Sequence, residues 1–111
     1  MENVIKAIGK IKDLCDALTE RGHPDAAILS SLCAVACAAA VEEGFELAKG
    51  NTPITSIGAF YEAVSASCDN DVKALYIRQV EVFIRDGIPF QPAISLAIAK
   101  VTVEGFLAEA A

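Results

Sequence analysis

The chain has 111 residues, 54% of them apolar and 22% charged, with no Trp and a formal net charge of −6. A chain of this length fits one domain over 1–111 and buries roughly two-thirds of its unfolded surface, enough for a core without crosslinks or metals. The composition excludes a disordered chain, and the acidic balance argues against direct binding to nucleic acid or an anionic membrane, both of which call for concentrated Lys and Arg.

A first helix is expected over about 3–21. Val4, Ile8, Ile11, Cys15 and Leu18 recur at alternating spacings of four and three, which is one apolar stripe of an amphipathic helix. Ile5 and Leu14 widen the stripe, and Lys6, Lys10, Asp13 and Glu20 take the opposite side. Gly22 suits the left-handed residue past a helix end, Pro24 suits a first turn, and Asp25 there agrees with the helix dipole. The corner is then only Gly22 and His23.

A second helix is expected over about 24–49, closed by Lys49-Gly50. Its segment Ala26 to Val41 runs sixteen residues without a charge, a length of roughly 24 Å as a helix. That is a little short for a membrane span, and Asp25 and Glu42-Glu43 flank it. A helix apolar on all sides in a soluble chain is a buried one, so the expectation is a central rod and no membrane. Ser30, Ser31, Cys33, Ala34, Ala36, Cys37, Ala40 and Gly44 read as small packing residues.

Thr52-Pro53 is a cap and first-turn signature for a third helix with Ile54, Ile57, Phe60, Tyr61 and Val64, ending near Ser67. Cys68 to Asp71 reads as a turn. A fourth helix follows to about Asp86, with Val72, Leu75, Tyr76, Val80 and Phe83 inward and Glu81 and Arg85 paired four apart. Gly87 stops it, and Pro92 opens a fifth helix to about Ala110, uncharged until Lys100. The fold class is all-α: a compact five-helix bundle, orthogonal or up-down, with the second and fifth helices most buried. Gly22-His23-Pro24 against Gly87-Ile88-Pro89, and Glu43-Gly44-Phe45 against Glu104-Gly105-Phe106, form a faint internal repeat.

Three cysteines are candidates for chemistry. Cys33 and Cys37 share one helix face, and an antiparallel first helix brings Cys15 within about a turn of Cys33. Three converging thiols suit Cu(I) or Zn, although the spacing is not that of a paired CxxC zinc site. The plainer reading is three small hydrophobes in the core. Cys68, in a turn, is the most reactive thiol expected. The N-terminal MENVIKAIGKIKDLC has no continuous apolar run, so no signal peptide is expected, the compartment expected is cytoplasmic, and the thiols stay reduced. His23 reads as a solvated corner residue.

The carboxylates fall in groups: Glu42, Glu43 and Glu46 late in the second helix, Asp13, Asp16 and Glu20 late in the first, and Asp69 and Asp71 before the fourth. Acids near helix C-termini oppose the dipole, which favours binding over stabilisation as their role. No phosphate loop, dinucleotide fingerprint, zinc-protease helix, EF-hand or nucleophile elbow is present. The expectation is therefore a non-enzyme without a cofactor: a small acidic interaction or regulatory module whose partner is a protein with a basic surface. One form of it is a viral or mobile-element inhibitor masking a nucleic-acid-binding surface of a host protein. Two other readings are a thiolate Cu/Zn or redox bundle on Cys15, Cys33 and Cys37, and a homo-oligomeric bundle with Phe45, Phe60, Tyr61 and Phe106 as interface candidates.

Overall fold

The computed structural model describes residues 1–50 and 70–110, which hold four α-helices: α1 (Glu2–Glu20), α2 (Ala26–Ala48), α3 (Asn70–Arg85) and α4 (Phe90–Ala110). The class is all-α, with four helices rather than five among the described residues. The helix expected over about 52–67 lies outside them.

The stripe read for α1 is the face it buries. Val4, Ala7, Ile11, Cys15 and Leu18 are in the core, and Ile8 and Leu14 are half-buried at its edge. Ile5 differs, lying one position off the stripe and exposed. α1 ends as its glycine predicts. Gly22 takes φ +70°, the Gly22 N–H donates to Thr19 O at 3.0 Å, and the His23 N–H reaches back to Leu18 O at 3.2 Å. This pair of bonds uses two carbonyls that a helix end leaves open. The Ala26 N–H then closes a turn onto His23 O, so α2 begins at Ala26 rather than Pro24.

Gly87 repeats the device at φ +89°, with the Gly87 N–H on Ile84 O at 3.0 Å and the Ile88 N–H on Phe83 O at 2.9 Å. α4 starts at Phe90, ahead of the expected Pro92. Pro92 sits in the first turn, where an N–H has no acceptor four residues back, so a proline there sacrifices no hydrogen bond. The two corners therefore match in geometry. The second half of the repeat does not. Met1 lies over Gly44 and Phe45 is exposed, whereas Gly105 is open and Phe106 is half-buried.

Contacts along the helices set their directions. Arg21 Nη1 donates to Leu107 O at 3.1 Å, and Asn3 lies against Gly87, so α1 and α4 run parallel. Ser95 meets Glu43 and Ala99 meets Cys33, which makes α2 antiparallel to α4. Lys100 meets Gln79 and Thr102 meets Tyr76, which makes α3 antiparallel to α4 as well. α4 packs against each of the other three helices. Its Ala93, Leu96, Ala97, Ala99 and Val103 are buried, and its alanines let the α2 backbone approach closely. Full burial of a side chain such as Ile11, Leu18 or Leu96 contributes about 1.5–3 kcal/mol.

α2 corrects the expectation that the second helix is enclosed. It buries one side only, with Ala26, Leu29, Cys33, Cys37 and Ala40 facing α1 and α4. Ile28, Leu32, Val35 and Phe45 stand outward and exposed. A helix apolar on every side carries no signal for which side is covered, so the uncharged run reads as full burial when five of its sixteen residues are buried. On α3, Val80 and Phe83 are buried as expected, Val72 and Tyr76 are half-buried, and Leu75 is exposed.

Candidate functional site

The thiol cluster forms. Cys15 on α1 and Cys33 and Cys37 on α2 are all buried and all free. Cys33 Sγ donates to Ala99 O at 3.8 Å and lies within hydrogen-bonding reach of Cys15. Burial first, then the Cys15 thiol and lastly Cys37, push Cys33 up to about 12. Burial followed by Cys15 raises Cys37. Both stay protonated at neutral pH, and a protonated thiol is a poor nucleophile. The three thiols border a groove of about 310 Å³ between α1 and α2, which Lys12 and Asp16 rim on one side and Ser30 and Ala34 on the other. Among the described residues, no group of three or more His, Cys, Asp and Glu side chains is placed to hold a metal ion. The arrangement is that of small apolar fillers where two helices meet.

The carboxylates do not converge on one face. Because α1 and α2 are antiparallel, Asp13, Asp16 and Glu20 lie toward the Gly22 corner, while Glu42, Glu43 and Glu46 lie at the other end of the bundle. Asp13 and Glu20 are exposed, and Asp16 pairs with Lys12 at 3.5 Å in solvent, an interaction worth at most about 1 kcal/mol. Asp71 is exposed in the first turn of α3, and Asp69 lies outside the described residues.

Within the α2 group the three acids have different surroundings. Glu42 is exposed. Glu46 pairs with Lys49 at 3.1 Å. Glu43 turns inward, where its Oε1 accepts a hydrogen bond from Ser95 Oγ at 2.7 Å. Burial raises the Glu43 carboxyl above its ordinary range, the Ser95 bond opposes that shift, and Glu42 adds to it. Glu43 is thus a contact between α2 and α4 and not part of an outward acidic patch.

His23 also departs from its reading as a solvated residue. Its ring stands edge-on to Phe106 with centroids 5.6 Å apart, and its Nδ1 accepts from the Asp25 N–H at 3.1 Å. Phe106 is thereby used inside the fold. Phe60, Tyr61 and Cys68 lie outside the described residues, which leaves Phe45 as the exposed member of the aromatic set.

The sequence reading missed the outward line of α2. Ile28, Ser31, Val35, Ala38, Glu42 and Phe45 recur at alternating spacings of three and four, a seam pattern. The apolar Cys, Ala and Leu residues on the opposite side of the helix hide that periodicity. By length and composition α2 and α4 are each long and apolar enough to cross a membrane, as core helices of soluble proteins also are, and 28% and 33% of their apolar windows are buried inside the fold.

No protein-family model, no curated protein and no solved structure matches the chain.

Proposed function

We propose that this chain is a non-catalytic interaction module that docks on a basic protein surface through the C-terminal half of α2. The observation that carries the reading is the placement of Glu42 and Glu46. They lie one turn apart: Glu42 is exposed, and Glu46 sits in the last turn, where the dipole disfavours a carboxylate by a few tenths of a kcal/mol and Lys49, at 3.1 Å, offsets it. In a chain of net charge −6 a positively charged partner gains from that field. A basic surface that binds nucleic acid is the natural target of such a patch, and covering it makes the module an inhibitor.

The test is affinity capture from cell extract with the immobilised chain, at low salt and at about 0.5 M salt, where surface charges are screened. A partner lost with the Glu42→Lys, Glu46→Lys double variant and at high salt supports the reading. A partner retained by the double variant sinks it. Glu43 is left intact, because reversing it breaks the contact to Ser95.

A further inference from the structure

From the outward face of α2 we infer that the chain forms a two-fold symmetric dimer in which the α2 helices of two copies pack antiparallel. This goes beyond the docking reading and competes with it at Glu42.

The face is long and unpartnered among the described residues. Ile28 is 63% exposed, Val35 69% and Phe45 55%, with Leu32 beside them at 58%. Ile28 to Phe45 spans about 25 Å of helix. Exposed apolar side chains scattered singly are ordinary, but Ile28, Leu32 and Val35 cluster on the outward side of one helix, with Phe45 beyond Ala38 and Glu42, and such a cluster marks a contact surface. The opposite side of the same helix is committed to α1 and α4.

Chemistry along the line selects the occupant. An antiparallel second copy, with Val35 facing its Ala38, sets large against small at the centre. The same register places Ile28 against the second copy's Phe45 and Ser31 against its Glu42. It also brings Asp25 near the second copy's Lys49 at both ends of the contact, so that Lys49, which pairs with Glu46 of its own chain at 3.1 Å, is shared between two carboxylates. Asp25 makes no side-chain cap hydrogen bond to its own helix, so its carboxylate is available. A parallel pair would instead stack Asp25 on Asp25 and Glu42 on Glu42. Ser31 and Ala38 are small enough for the close interaxial distance that helix pairs reach, about 8–10 Å. Each contact occurs twice, as two-fold symmetry requires. An anionic lipid surface fits less well, since the line ends in Glu42 and Glu46 and the whole chain is acidic.

The experiment is sedimentation equilibrium of the full chain across salt concentrations, with circular dichroism to verify that each variant folds. The expected result is a species of twice 11.6 kDa. Salt up to about 0.5 M is expected to change its dissociation constant little, because screening weakens the Asp25–Lys49 pairs as it relieves repulsion between two chains of charge −6. Docking on a basic partner is instead lost at that salt, so the two readings fail separately. Val35→Glu is expected to weaken the dimer by 100-fold or more, an order-of-magnitude figure for a charge buried twice at its centre. Asp25→Lys and Lys49→Glu each weaken it about tenfold, and the double variant recovers most of that loss. A monomer at all concentrations overturns the inference, as does a dimer indifferent to Val35→Glu. A charge exchange without recovery overturns the antiparallel register. Co-sedimentation of the chain with phosphatidylcholine vesicles in preference to self-association assigns the face to lipid and overturns the dimer.

Discussion

Glu43 reaches across from α2 to accept a 2.7 Å hydrogen bond from Ser95 on α4 with one oxygen, while its other oxygen is buried without a hydrogen-bond partner among the described residues. A carboxylate held this way joins two helices at a cost that depends on its charge. Burial of an ionised oxygen without a donor is unfavourable, and the protonated form avoids much of it.

The sign of the pH dependence follows. The folded-state value of Glu43 is raised above 4.5. Its contribution to stability is therefore fully present below pH 4.5 and is lost as pH rises through the raised value. Glu43→Gln keeps an acceptor for Ser95 and removes the charge. The melting temperature of the variant relative to the parent is expected to rise as pH climbs above 4.5 and through the raised value, and then to level off. Scanning calorimetry across that range checks it, and a difference that stays constant or falls with pH would mean that the Ser95 bond outweighs burial.

Glycine positions separate two backbone effects. Gly22 has φ +70° with open space where a Cβ would stand, so Gly22→Ala pays only the left-handed penalty, about 1–2 kcal/mol. Gly9 lies inside α1 with nothing within 4 Å of a Cβ, so Gly9→Ala is expected to stabilise by about 0.5–1 kcal/mol. Urea denaturation of both variants tests this. A stabilising Gly22→Ala would contradict the left-handed geometry of the corner.

Much of this fold was legible in the sequence because α1 carries its instructions locally. Val4, Ile11, Cys15 and Leu18 stand opposite lysines and acids, and Gly22 and Gly87 mark their corners by a conformation that other residues resist. α2 has no such contrast. Cys33 inward and Val35 outward are both apolar, so burial there is decided by what packs nearby, and a single sequence does not state that. The thiol cluster was legible through helix spacing alone, since Cys33 and Cys37 lie one turn apart and the short corner brings α1 alongside. The inward turn of Glu43 was not, because it depends on Ser95, which lies far along the chain and meets α2 only through the antiparallel course of α4.

The thiols give a last prediction, at alkaline pH. Cys33 rises from 9.0 to about 12 in the folded chain. A thiol that the fold keeps protonated contributes stability that is fully present below pH 9 and is lost as pH climbs toward 12, since the unfolded chain ionises first. Cys33→Ala removes that linkage along with a buried sulfur, and is expected to cost roughly 1 kcal/mol at pH 7, the low end of large-to-small core changes. Its deficit against the parent should shrink between pH 9 and 11. Denaturation at stepped pH measures it, and a parallel Cys68→Ser background limits maleimide labelling to Cys15, Cys33 and Cys37. Those three are expected to react far more slowly than a free thiol until the chain unfolds. Labelling at the rate of an exposed cysteine would show that the groove between α1 and α2 opens in solution and presents its sulfurs to reagents.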